Sequence, residues 1–130
     1  MRLVHAVGWK NFVNPEAVAT ALQNSLFIAV ALDEHKENEV VGTVRVIGDG
    51  AIFFYVQDLM VLKEYRKQGI GTALMRAAMN YLSTQTPKRS YVGLFANSNK
   101  IKFYERFGFT GPKPTLQGMY KGTRTKPIKS

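Results

Sequence analysis

A chain of 130 residues, 45% apolar and 12% aromatic, is long enough for one domain with a hydrophobic core of its own. It contains no cysteine, which excludes disulfides, thiolate metal sites and a cysteine nucleophile. Its two histidines, His5 and His35, lie too far apart in sequence to suggest a metal cluster, so no metal is expected. Eighteen Lys and Arg against nine Asp and Glu leave a net charge of +9, which attracts polyanions: nucleic acid, an anionic membrane surface or a phosphate-bearing cofactor.

Asn14-Pro15-Glu16 reads as a helix start, with Asn as N-cap, Pro at the first helical position and an acid in the first turn. Ala17, Val18, Ala21 and Leu22 recur at helical spacing, so this helix runs to about Asn24. Phe27 to Leu32 is a compact apolar run and reads as a buried strand. The stretch from Asp33 to Glu39 holds five charged residues and His35, which suits an exposed hairpin turn. Val40 to Ile47 is β-branched and carries a strand back, Gly48-Asp49-Gly50 is a turn, and Ala51 to Val61 forms a third strand of an antiparallel meander.

The period then changes. Ile70, Leu74, Ala77, Ala78, Tyr81 and Leu82 share one helical face, and Pro87 ends that segment. Tyr91 to Phe95 is a short strand, and a second amphipathic helix runs from about Ser98 to Phe107, closed by Gly108 as a left-handed cap. Phe109 begins a further strand, and Met119-Tyr120 finishes the sheet. The expected fold is α/β (α+β), a single mixed, mostly antiparallel sheet flanked by helices, in one domain over 1–130 with a basic, flexible tail at 122–130. No apolar run approaches the ~20 residues that span a bilayer, and the first residues do not read as a secretory signal. The expected location is the cytoplasm.

The segment Val61-Leu62-Lys63-Glu64-Tyr65-Arg66-Lys67-Gln68-Gly69-Ile70-Gly71-Thr72 joins a strand to a helix. Such a junction gathers unpaired backbone N–H groups and the positive end of the helix dipole. Two glycines let the main chain approach an anion closely, and Arg66 and Lys67 add charge, so the chemistry suggested is pyrophosphate binding. A P-loop would need Gly-Lys-Ser/Thr, but Gly71 is followed by Thr72-Ala73. The dinucleotide fingerprint would need a third Gly where Leu74 stands and an acid near Lys88-Arg89-Ser90.

What fits is Arg66-x-x-Gly69-x-Gly71, and with it residues 57–82 and 92–109 resemble the GNAT superfamily of N-acetyltransferases. That family's Q/R-x-x-G-x-G/A signature opens the helix after its fourth strand and holds the pyrophosphate of coenzyme A. Asp58-Leu59-Met60-Val61 and Glu64-Tyr65 resemble its usual lead-in. Asn97, Tyr104 seven residues later and Gly108-Phe109 just past the helix resemble its second hallmark. The likeness covers about Phe27 to Tyr120, and the first 25 residues match less well.

The resemblance implies direct transfer of an acetyl group from acetyl-CoA to a primary amine in a ternary complex, with no acyl-enzyme. It implies cofactor contacts from Arg66, Lys67, Gln68, Gly69, Gly71 and Thr72, and a bulge near Leu59-Met60-Val61. There the backbone of Met60 and Val61 would hold the pantetheine arm and polarise the acetyl carbonyl. Tyr104 is the candidate general acid, since a phenol is protonated at neutral pH; the alternative is a helix aromatic packed with Phe103 and Phe107. Asn97 would cap the last helix or bond the pantetheine amide. Asp58, the one acid on the strand leading to the bulge, is a candidate base, directly or through water, although such a carboxylate is as often solvated or paired with an Arg. Tyr55 or a held water are alternatives.

Trp9 and Phe12 fall where the family recognises acceptors, with core packing as the plainer reading. Lys100, Lys102 and Arg106 are placed near the nucleotide end of the cofactor or on a solvated face. The acceptor is expected to be a small-molecule amine rather than a protein, with no membrane partner, and homodimers are frequent in the family. Two other readings are a small basic nucleic-acid-binding module and a GNAT-like domain that binds coenzyme A without catalysis. Phe27–Leu32 and Ala51–Val56 carry no Lys or Arg interleaved with their apolar residues, which argues against the first.

Overall fold

The computed structural model describes residues 15–85, 90–111, 113, 115 and 117–121. His5, Trp9, Phe12, Asn14, Pro87, Lys88, Arg89 and the tail at 122–130 lie outside the described residues. The chain forms two compact units, Met1–Leu94 and Phe95–Ser130.

In the first unit, helix α1 (Pro15–Gln23) opens on the expected proline with Glu16 in its first turn. Strands β1 (Phe27–Asp33), β2 (Glu39–Gly48) and β3 (Phe53–Val61) follow as an antiparallel meander. Helix α2 (Ile70–Gln85) crosses over to β4 (Tyr91–Gly93), which lies parallel to β3, giving the sheet order β1-β2-β3-β4. The mixed, mostly antiparallel sheet is the one the sequence predicts.

Each hairpin is closed by an aspartate. The Asp33 carboxylate accepts from the His35 N–H at 2.9 Å, and the chain leaves that turn through Glu37 and Asn38, both left-handed at φ 54° and 58°. Asp49 Oδ1 accepts from the amides of Ala51, Ile52 and Phe53 at 2.7, 2.8 and 3.1 Å. Those amides, that of Ala51 first, hold the Asp49 carboxyl below its ordinary value of 3.8. A depressed carboxyl adds stability that is complete above its ordinary value and lost as pH falls through its folded one. The gap in Tm between the wild type and Asp49→Ala should therefore be widest near neutrality and narrow as acid is added below about pH 4. A gap that stays constant down to the acid transition would contradict this role.

The core lies between one face of the sheet and α2. Val44, Val46, Phe54 and Val56 meet Leu74, Met75, Ala78 and Leu82, all buried, and Phe27 stacks on Tyr81 at 4.8 Å. Burying a side chain the size of Phe54 or Met75 contributes about 1.5–3 kcal/mol. Met75 is fully buried although the predicted helical face passes it over. Helix and sheet come closest at Gly42, where a Cβ would stand 3.1 Å from Leu74 Cδ1 and 3.2 Å from the Met60 carbonyl oxygen. Its bare backbone lets the first turns of α2 sit down on β2.

Several expectations need correction. Among the described residues strand β1 pairs only with β2, and its pattern alternates, with Ile28, Val30 and Leu32 exposed; an apolar run alone does not tell a buried strand from a half-covered one. Strand β4 ends at Gly93 rather than Phe95. In the second unit, the helix expected over 98–107 is a 3-10 turn, Ser98–Lys100, followed by a short α3, Ile101–Glu105. Gly108 closes it at φ 92°, as the sequence predicts. No strand starts at Phe109: residues 109–111 carry no strand, and Gly111 sits at φ 138°. Met119 and Tyr120, at 89% and 91% exposed, are outside the sheet.

Candidate active site

Among the described residues, strand β3 is paired on both sides only at its start. Phe53, Phe54 and Tyr55 face Tyr91, Val92 and Gly93 of β4, and the ladder stops there. From Val56 to Val61 the β4 side of β3 has no ladder to β4, a stretch of roughly 20 Å at ~3.3 Å per residue. The open length carries backbone N–H and C=O groups, which demand partners.

On its other side β3 follows β2 with one irregularity. Arg45 faces Gln57 while Thr43 faces Met60, so Val44 stands opposite two residues, Asp58 and Leu59. This β-bulge begins one residue earlier than the sequence reading places it, at Asp58, whose φ is 57°. Beyond it, Leu62 N–H donates to Val41 C=O at 2.9 Å, which turns Leu62, and by alternation Met60, toward β2. Val61 therefore directs its main chain to the open edge, where its carbonyl accepts from Arg66 Nε at 2.9 Å. Met60 packs beside the buried pair Val41 and Leu62, together with Ala31, Val40 and Tyr65.

The strand runs straight into the loop. A 3-10 turn, Lys63–Tyr65, is followed by Arg66, Lys67 at φ 64°, Gln68 and Gly69 at φ 84°, all exposed beyond Tyr65. Ala73 N–H donates to Gly69 C=O at 3.0 Å, the first turn of α2. The amides of Ile70, Gly71 and Thr72 come before that bond and have no partner four residues back within the helix. A Cβ placed on Gly69 would meet nothing within 4 Å, so the chain is uncrowded at that residue. Left-handed turns at positions 67 and 69, three amides and the positive end of a 16-residue helix dipole gather donors and positive potential of the kind that attracts an anion.

A brace the sequence reading missed holds this loop from behind. The Tyr65 hydroxyl donates to Asp33 Oδ2, at the end of β1, and Lys36 Nζ lies 6.0 Å from the centre of the Tyr65 ring. The Tyr65 hydroxyl, with the His35 amide, keeps the Asp33 carboxyl below its ordinary value. Tyr65 stood only in the family's lead-in, and nothing local ties it to a residue 32 positions away.

Asp58 is paired. Its Oδ2 accepts from Arg45 Nε at 2.5 Å, with the two side chains only 17% and 16% exposed. Arg45 Nη1 also donates to Ala21 C=O at 3.3 Å and to Ser25 Oγ at 3.1 Å, and Ser25 Oγ bonds Ala21 C=O at 2.9 Å. The guanidinium thus joins the end of α1 to the bulge. The signal for Arg45 was present: it is the one charged side chain between Val44 and Val46 on a β-branched strand.

The second unit carries the remaining candidates. Asn97 precedes the 3-10 turn and its carbonyl accepts from Lys100 N–H at 2.8 Å, but its exposed side chain makes no capping bond, so the capping role expected for it is not observed. Tyr104 is half-buried, edge-on to Phe103 with ring centres 5.1 Å apart and to Phe109 at 6.4 Å. Burial pushes its phenol above the ordinary value of 10.0. Arg106 lies over Phe103 at 5.2 Å, which binds its guanidinium to the helix's own aromatic face. Among the described residues, no group of three or more His, Asp or Glu is placed to hold a metal ion, and no helix is long and apolar enough to cross a membrane.

Residues 23–111 match the family model described as acetyltransferase (GNAT) domain. A protein of unknown function from methicillin-resistant Staphylococcus aureus, named a probable acetyltransferase, has the same fold. Its TM-score is 0.80 at 33% identity, over 94% of this chain and 89% of that one. A GNAT-family acetyltransferase from Streptococcus pneumoniae TIGR4 gives 0.73 at 36% identity, over 95% and 87%. The chloroplastic GCN5-related N-acetyltransferase 2 of Arabidopsis thaliana is 28% identical over 88 residues, 68% of this chain and 33% of its own length. This chain spans between a third and just under two thirds of the curated relatives it matches first. A strand that parts from its neighbour, a bulge in that strand and an anion seat directly after it, in a sequence that fits the family model over most of its length, have one reading: the chain belongs to the GNAT family of acetyltransferases.

Proposed function

We propose that this protein moves the acetyl group of acetyl-CoA directly onto a primary amine, with both substrates bound together. The observation that carries the reading is the continuous path from the open edge of β3 into the anion seat at Arg66–Thr72. The edge offers main-chain partners to an extended amide-bearing arm, and the seat takes the pyrophosphate at the arm's end.

Acetyl-CoA supplies the activated acetyl thioester. The main-chain N–H of Val61, already directed to the open edge, donates to the acetyl oxygen as negative charge gathers on it; a fixed donor of this kind is typically worth ~3 kcal/mol of barrier. The amine nitrogen forms the new bond to the carbonyl carbon, the carbon–sulfur bond breaks, and Tyr104 gives its proton to the departing thiolate. The amine's surplus proton leaves to water or a side chain. The chain has no cysteine to carry the acetyl group, in keeping with direct transfer.

Binding and turnover are tested separately. A ligand that binds only the folded state stabilises it by about 2.7 kcal/mol at a hundred times its dissociation constant, so Tm should rise by several degrees in excess acetyl-CoA. Thiol release from acetyl-CoA against a panel of aminosugars, polyamines, aromatic amines, amino acids and lysine peptides then identifies the acceptor. A Tm indifferent to millimolar acetyl-CoA would defeat the proposal. Binding with no thiol release across the panel would leave a domain that holds the cofactor without catalysis.

A further inference from the structure

The direction of the backbone groups along β3 reverses at Asp58. Ahead of it, Phe53 C=O accepts from Asp49 N–H at 3.2 Å on the β2 side, and Ile52 C=O accepts from Tyr91 N–H at 2.7 Å on the β4 side. Odd-numbered residues there face β2 and even-numbered ones face β4. Past it, Leu62 donates to Val41 on the β2 side, so the even-numbered residues face β2 and Val61 faces the open edge. The inserted residue opposite Val44 makes the exchange, and Asp58 makes it with a left-handed backbone that a side-chain-bearing residue adopts only at a cost.

That cost is met locally. The Asp58 carboxylate is held by Arg45 Nε at 2.5 Å, and Arg45 is itself anchored to the end of α1 through Ala21 C=O and Ser25 Oγ. Aspartate and asparagine are the side chains that tolerate this conformation best. One of the two carboxylate oxygens, Oδ2, is engaged with the guanidinium.

We infer that Asp58 is a positioning residue rather than the general base. Clamped by Arg45, its left-handed turn sets Val61 N–H on the open edge of β3. The inference rests on the acetyl-CoA reading of that edge. The test uses Asp58→Asn and Asp58→Val in the full chain, with acetyl-CoA affinity by calorimetry and thiol release across pH. Asparagine enters the left-handed region readily and its amide oxygen still accepts from Arg45, but it takes up no proton. Asp58→Asn should keep kcat/KM within about fivefold of wild type and keep the shape of the pH profile.

Asp58→Val sets a branched Cβ against the positive φ, and should lower acetyl-CoA affinity and kcat/KM together by about tenfold. If the valine variant does not fold, Asp58→Gly and Asp58→Ala make the same comparison, with glycine expected to be the more active. An Asp58→Asn enzyme that binds acetyl-CoA like the wild type, yet loses about 10²-fold in kcat and the rising limb of its pH profile, would make Asp58 the base and overturn the inference. Failure of the wild type to bind acetyl-CoA would instead remove the reading on which it rests.

Discussion

Replacing Tyr104 by phenylalanine is expected to lower kcat about 10²-fold while leaving acetyl-CoA affinity nearly intact. The substitution keeps the ring that meets Phe103 and Phe109 edge-on, so the second unit should fold as before. A loss near the bottom of the usual range for general acids is expected because a thiolate is a tolerable leaving group and water can partly replace the phenol. Proton donation belongs to the transition state, so kcat and kcat/KM should fall by the same factor. The pH dependence has a definite sign. Burial raises the phenol above 10.0, so it is protonated throughout the neutral range, and any falling limb due to Tyr104 lies above that value. The same shift adds stability that is complete below 10.0 and is lost as pH rises through the folded value. Steady-state thiol release, under conditions where chemistry limits the rate, is the measurement. Wild-type turnover in the Tyr104→Phe enzyme would return the residue to core packing.

Gly71→Val should raise the dissociation constant for acetyl-CoA at least about tenfold, ~1.4 kcal/mol. Gly71 is the second residue of α2, between the two other amides that precede the helix's first internal bond. A branched side chain there would occupy space that the phosphate oxygens need in order to reach those amides. Valine is a better helix former than glycine, so α2 should not be weakened. A lost affinity in a variant with unchanged circular dichroism and Tm can then be ascribed to the anion seat. Calorimetry that finds the same dissociation constant in the folded variant would show that the pyrophosphate is held elsewhere.

Much of the frame was legible in the sequence because it depends on short-range signals. Pro15 after Asn14, the Gly48-Asp49-Gly50 turn, the change of period at Ile70 and the glycine at 108 each act within a few residues, and the corresponding elements lie where those signals put them. The strand-to-helix junction at Arg66–Thr72 was legible for the same reason. What could not be read depends on partners distant in the chain. The Arg45–Asp58 pair spans 13 positions and Tyr65–Asp33 spans 32, and neither has a spacing that marks it. The start of the bulge at Asp58 is a matter of register between two strands, and an aspartate in a strand does not announce a left-handed backbone. Exposure of Ile28, Val30 and Leu32 depends on which face of the sheet α2 covers, and that is settled only by tertiary packing. The absent strand from Phe109 to Gly111 shows that a single aromatic after a helix cap does not by itself specify a strand.

The brief contact between β3 and β4 also governs the order of folding. The two antiparallel hairpins close turns of a few residues, whereas Phe53 and Tyr91 meet across 38 positions with α2 between them. Loop closure costs more for the longer span, and only three residue pairs repay it. The meander can therefore assemble early, while β4 must wait until α2 has packed on Val44, Val46, Phe54 and Val56. Until β4 docks, one whole side of β3 has no ladder, so amide protection on that side is expected to appear after that of the meander.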